Sequence, residues 1–513
     1  MTVTWKNTVK HTIKKGIHPY LNGAWAPMFD EVNATDMEVI GEIPKDIDGV
    51  YIRNTENPVH KPIGHYHPFD GDGMLHSISF KDGNAEYRNR FIRTEGFNAE
   101  QEAGKALWTG FVNDAKLSTR PGWGAQEYIK DSSSTDVVVH AGQVLSTFWQ
   151  CGEGYRLDPY TLEQHGTESW VPEEGISAHP KVDENTGEMM FFNYSKNPPY
   201  QHYGVVNKDN ELVHYTPVPL PGPRLPHDMA FTKNYSILVD LPFFWDPEKL
   251  ARGKHVPTYY PDMPTRFAII PRFGNQDDVQ WFEAAPTYVL HWMNAYEEGD
   301  EIVLDGYFQD KPDPAPMPRM PKNAGKFMAG LDQQSFQSKL HRWRFNLKTG
   351  ETKEERLSDR VLEFGTFNQA YAGKKARYLY STYSKPGWFL FAGLVKHDLE
   401  TGETKELYFG SKRYGSEAPF VPRINAQSED DGYLVSFITD TKQNRSECVL
   451  IDAQDIEAGP VCTIVLPHRI ASGTHATWAD GPTVREAQER NTQKHDKNRD
   501  LQQPTAQSSA NQV

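Results

Sequence analysis

Short apolar runs bounded by turn residues recur along nearly the whole chain, and they leave little besides an all-β architecture open. GVYIRN, HSISF, DVVVHAG, QVLSTFW, MMFFNYS, YSILVDL, TRFAIIPRF, EIVLDGYF, ARYLYSTYS, GYLVSFITD and CVLIDA are rich in β-branched or aromatic residues at strand length. Only two stretches read as helices, from Ala99 to Leu107 and from Pro247 to Arg252, both between strand runs. The connections repeat as well. Asp158 to Glu163, Asp183 to Glu188, Asn346 to Glu351 and Asp398 to Glu403 share one D/N-x-x-T-x-E pattern, each between two apolar runs. In such a tip the Asp or Asn side chain bonds the turn backbone, and Gly, where present, supplies positive φ. Recurrent hairpins of this kind suit the radial blades of a β-propeller, although popular turns alone would also produce them. About 450 strand-rich residues would fill six to eight four-stranded blades at roughly 40 to 60 residues each.

Composition narrows the partners. The formal charge is −15, and the only basic block is the short KHTIKK near the start, so nucleic acid is not an expected partner. Three cysteines, Cys151, Cys448 and Cys462, with no CxxC pair, point away from a disulfide framework and a thiolate zinc site. A reducing, cytoplasmic setting is the expectation. No window approaches 18 consecutive apolar residues, so the expected protein is soluble or at most peripherally attached to a membrane. The division expected is an N-terminal arm over 1–18, one large domain over 19–478, and a tail over 479–513. That tail has almost no apolar residues, cannot offset its ordering entropy, and reads as disordered.

Two histidine groups compete as a metal site among 19 histidines. His60, His65, His67 and His76 are dense but lie in a Pro/Gly-punctuated stretch. His179, His227, His291 and His475 are dispersed, each beside a strand-like run, the first three about 50 to 65 residues apart. That interval is about one blade, so distant residues could meet on a common axis. Spacing alone leaves both groups open.

The motifs PYLNGAWAP, GVYIRNTENP, FDGDGMLHSISF, AHPKVDENTGE, PHDMAFT, LHWMNAYEEGDEIVLDG, EAPFVPR and SEDDGYL occur in order between Pro19 and Trp478. Over that span the chain resembles the carotenoid cleavage oxygenases, a family that includes stilbene-cleaving dioxygenases and the vertebrate retinoid isomerase. The resemblance implies a seven-bladed propeller under a dome of helices and loops, with one non-heme Fe(II) on the axis held by His179, His227, His291 and His475. Four nitrogens on an octahedral ion leave two positions for O₂ and a weakly held group, whereas catalytic zinc keeps three protein ligands and would not activate O₂. The cluster from His60 to His76 becomes structural in that reading.

The family also implies carboxylates that orient the imidazoles. Glu363 in VLEFGTF and Glu417 in GSEAPFVPR match two of three expected places. Gln150 aligns with the third; a slipped alignment would offer Glu153 instead. Trp149 aligns where the stilbene-cleaving branch carries a Lys, and an indole packs against a polyene better than it serves a phenolate. The implied reaction is cleavage of a conjugated C=C bond of a carotenoid or apocarotenoid by O₂ into two carbonyl products. Stilbene or phenylpropenoid cleavage, and iron-dependent isomerisation, are the alternatives. A lipophilic substrate also implies a mouth facing lipid. LWTGFVNDAKLSTRPGWG and LPFFWDPEKLARGKH could supply an interfacial patch or simply pack on the propeller. Nothing in the sequence reads out the oligomeric state.

Overall fold

The structure, a computed structural model, describes residues 1–14, 16, 18–316 and 328–502, with side chains through residue 493. Its antiparallel sheets form a seven-bladed β-propeller, five of four strands and two of six, with a separate hairpin of Phe243–Trp245 and Pro257–Tyr259 beside them. Strands inside a blade are buried on both faces. Glu188–Tyr194 and Gly432–Asp440 are buried along almost their whole length because neighbouring blades cover them on either side. Outermost strands such as Gln280–Ala284 and Thr404–Tyr408 are largely exposed.

The repeated tips owe their sequence to hydrogen bonding. Asp158 Oδ1 accepts from the backbone N–H groups of Tyr160 and Thr161, and Asn346 and Asp398 do the same in their own turns. The Thr hydroxyl then accepts from the backbone of the closing Glu at 3.2 to 3.3 Å in all four turns. Three of the tips have Gly in the left-handed region, whereas in the first Leu162 adopts φ +56°.

Both ends of the chain close the ring. Ala476–Asp480 pairs with Gly49–Glu56 in the first blade, and Val39–Gly41 pairs with Pro460–Val465 in the last. The expected arm and tail differ accordingly. Thr2–Thr8 is a strand on the edge of the first blade, paired with Asp30–Thr35. The last propeller strand runs to Asp480, and a helix, Gly481–Gln502, follows where a disordered tail was expected; the remainder of that expected tail, 503–513, lies outside the described residues. Its few apolar residues suffice because Val484 and Ala487, three apart on one helix face, are buried, while Arg485 pairs with Asp48 at 2.7 Å. The two expected helical stretches only overlap the helices found: Glu95–Ala103, capped by Thr94, begins four residues before Ala99 and stops at Gly104 in the left-handed region, short of Leu107, and the second is a single turn over Pro247–Leu250.

The blades are held to one another by aromatic packing. Phe267, fully buried, meets Phe345, Trp292 and Trp343 with ring centroids 4.7 to 5.8 Å apart. Phe267→Ala should cost about 3–5 kcal/mol. The check is the denaturant midpoint, which should fall with little change in slope.

Candidate metal centre

Each blade delivers one residue to the axis, at or just before its innermost strand. His475 precedes Ala476–Asp480, Asp136 begins Asp136–His140, and His179 precedes Lys181–Asp183. Around the ring follow His227 before Ala230–Phe231, His291 before Trp292–Glu298, Glu363 at the start of Glu363–Thr366, and Glu417 before Phe420–Pro422. The same inner strands line an axial cavity of about 680 Å³. Strand starts are rigid, so four imidazoles and three carboxylates are held by the scaffold rather than by loops.

The four dispersed histidines meet. His179 lies 4.5, 4.8 and 5.2 Å, centroid to centroid, from His475, His227 and His291. Each acid takes a ring one blade along. His291 Nδ1 lies 2.6 Å from Glu363, His475 Nδ1 3.2 Å from Glu417, and His179 Nδ1 3.3 Å from Asp136. The Asp136 carboxylate also accepts from the His179 backbone N–H at 3.1 Å, where His179 sits at φ +65°. Among the described residues no carboxylate bonds His227, whose ring neighbours on both sides are His179 and His291.

With their Nδ1 atoms turned to acids, the rings of His179, His291 and His475 present Nε2 inward. His179 Nε2 lies 3.2 Å from His227 Nε2, and His291 Nε2 is buried without a hydrogen-bond partner. Converging lone pairs with an orphan among them are what a divalent cation satisfies, and His179, His227 and His291 lie close enough to share one. Protonation states agree. Burial, then the neighbouring His475, lowers the His179 pKa to about 4, and burial with three facing imidazoles pushes His227 well below its ordinary value. Burial is the largest influence on His475 and disfavours its charged form, but the Glu417 carboxylate together with Asp136 and Asp228 raises that pKa on balance. A proton therefore competes with a metal for His475 at higher pH than it does for His179 or His227. Metal retention is expected to weaken as pH falls through this raised value, because the proton then competes for the ring. Capture by a chelating dye across pH tests this; retention unchanged through the imidazole range would be the contrary result.

The full span of the propeller agrees with a known family. Residues 25–480 match the family described as retinal pigment epithelial membrane protein. The chain belongs to that family, the carotenoid cleavage oxygenases. It is 34% identical over 499 residues to carotenoid 9,10(9',10')-cleavage dioxygenase 1 of Arabidopsis thaliana, covering 91% of each chain. It is 30% identical over 482 residues to isoeugenol monooxygenase of Pseudomonas nitroreducens, covering 90% of this chain and 98% of that one. Among solved structures, lignostilbene dioxygenase of Pseudomonas brassicacearum matches at TM-score 0.79 and 25% identity, over 92% of this chain and 100% of the other.

In this carotenoid cleavage oxygenase a second cavity, of about 170 Å³, is bordered by His227, His291 and His475. Phe69, Phe111, Trp149, Phe243, Trp245 and Tyr288 give it aromatic walls. The Trp149 ring lies 6.3 Å from that of His227. Gln150 also lines the cavity but does not orient an imidazole: its carbonyl oxygen is buried with no hydrogen-bond partner. Asp136 is the third acid instead. Glu153 does not replace it: among the described residues the acids that meet the imidazole Nδ1 atoms are Asp136, Glu363 and Glu417. Asp136 carried one legible signal, a lone carboxylate heading the inner-strand run DVVVHAG. Glu56, fully buried on the cavity wall with its pKa pushed up to about 8 by burial, was not foreseen either.

Three members of the cluster from His60 to His76 bond within the fold, and His67 also lines the aromatic cavity. His76 bonds Tyr87 at 2.7 Å, His60 bonds Thr12 at 3.2 Å, and His67 caps the turn at Phe69. The stretches expected to offer interfacial aromatics bury most of them: Trp108, Phe111, Phe244 and Trp245 are inside, Trp123 and Phe243 are half-buried, and Leu117 is the large apolar side chain left exposed. Among the described residues no helix is long and apolar enough to cross a membrane.

Proposed function

We propose that the protein is a non-heme Fe(II) dioxygenase that cleaves a conjugated C=C bond of a carotenoid or apocarotenoid with O₂ to give two carbonyl products. The supporting observation is the junction itself: four converging imidazoles, three held by acids, opening on an aromatic-walled cavity. Bound iron would supply the activation of O₂, one atom of which ends on each alkene carbon, so no outside reductant is needed. The chain's own residues position and exclude. Asp136, Glu363 and Glu417 fix ring orientation and make three of the imidazoles better donors. Phe364 packs over His291 and His475, with centroids 4.6 and 4.8 Å away, and keeps water from that side of the centre. Trp149 and Phe111, edge to face at 5.2 Å, present an apolar wall along which a polyene lies beside the metal.

A smaller aryl alkene of the stilbene or phenylpropenoid class is a second reading, favoured by the cavity volume of about 170 Å³. Pockets for drug-sized ligands span roughly 300 to 1,000 Å³. Product mass spectrometry with ¹⁸O₂ over carotenoids, apocarotenals, stilbenes and phenylpropenoids decides between them. Both carbonyl fragments should carry label. Turnover without oxygen uptake would instead reveal an isomerase, and a protein that stays inactive when Fe(II) is added would be a binding scaffold. The three buried free cysteines suit a reducing cytoplasm.

A further inference from the structure

Residues on the wall of the aromatic cavity carry buried polar side-chain atoms that no other described residue satisfies. Foremost is Gln309, the last residue of Glu301–Gln309, which is 1% exposed. Its backbone is fully engaged: the N–H donates to Thr287 Oγ1 at 3.0 Å, and the carbonyl accepts from the same hydroxyl at 3.0 Å. Its side-chain amide is not. Both Nε2 and Oε1 are buried with no hydrogen-bond partner, and the residue lines the cavity that also meets His227, His291 and His475. Gln126 Oε1 and Trp149 Nε1, on the walls of the same cavity, are also buried and unpartnered. A buried amide with neither end bonded destabilises the fold unless a ligand completes it. Leu would serve the fold better at this place.

A bare hydrocarbon alkene would leave every one of these atoms unpaired. A hydroxyl, which donates and accepts at once, matches an amide that offers both an N–H and a carbonyl. We propose that the substrate carries a hydroxyl on the arm lying against Gln309, and that Gln309 is the residue that selects for it. The idea rests on the alkene-cleaving reading above and sharpens its substrate class from any conjugated alkene to an oxygenated one. The same chemistry occurs at the phenol of an aryl alkene and at the terminal alcohol of an apocarotenoid.

Anaerobic binding separates this from catalysis. Quenching of tryptophan fluorescence in the iron-loaded full chain gives Kd for 4-hydroxystilbene against stilbene, and for an apocarotenol against its deoxy hydrocarbon. The hydroxylated member of at least one pair should bind roughly tenfold to a hundredfold more tightly. The pair that shows it identifies the source of the hydroxyl. Gln309→Leu should bring that ratio close to one without weakening the hydrocarbon; Gln309→Met, with an unbranched chain, repeats the test if the Leu variant folds poorly. Equal affinities in both pairs, or selectivity that survives in both variants, would overturn the proposal and leave the amide to water. Oxygen uptake on admitting air to the bound complex reports separately on the dioxygenase reading, so the two can fail independently.

Discussion

Replacing His291 with alanine is expected to leave a folded propeller that holds little iron and loses activity by on the order of a thousandfold or more. Loss of an outer partner of a metal ligand costs roughly 10- to 100-fold, and loss of the ligand itself must exceed that. His291 is the sharpest choice because its Nε2 is the orphaned donor of the cluster and its Nδ1 makes the shortest imidazole–carboxylate contact, 2.6 Å to Glu363. The fold should survive. Glu363 retains Ser338 Oγ at 2.9 Å and the Phe364 N–H at 3.1 Å, so its carboxylate is not stranded. A residual cost of about 1–3 kcal/mol from the lost partner is expected. Iron content by elemental analysis, oxygen uptake and the unfolding midpoint together check this. Full iron occupancy in the variant would remove His291 from the ligand set.

Asp136→Ala is expected to lower iron affinity roughly 10- to 100-fold with a parallel loss of activity at limiting metal. The acid does two things to His179, facing its Nδ1 at 3.3 Å and its backbone N–H at 3.1 Å, so both the ring and the left-handed turn that aims it loosen together. Excess Fe(II) should restore much of the rate, because the defect is in holding the metal. Gln150→Glu supplies the contrast. Gln150 bonds no imidazole, so its effect on iron affinity should stay within about threefold. Equal losses in the two variants would return Gln150 to the role the alignment suggested.

Much of this arrangement is legible in the amino-acid sequence. Period, turn chemistry and spacing carried the blades, since each D/N-x-x-T-x-E tip makes the hydrogen bonds that its residue types imply. The ligand histidines were legible only through the surrounding motifs; their spacing alone tied with the cluster at His60 to His76. What escaped depended on contacts between distant segments. Asp136 and His179 stand 43 residues apart and meet because adjacent blades start side by side. The helix after Asp480 escaped because two buried side chains, Val484 and Ala487, anchor a segment whose average composition is polar. Local propensity could not register so small a docking surface.

The order of residues around the axis makes chemically identical ligands unequal. His227 stands between two other histidines, beyond reach of the acids that serve its fellows, and it alone of the four borders the aromatic cavity without bordering the axial one. His179 is its opposite, braced by Asp136 and bordering only the axial side. The centre therefore has a stiff back and a compliant front: movement forced by an arriving substrate falls on the one ring that no carboxylate restrains.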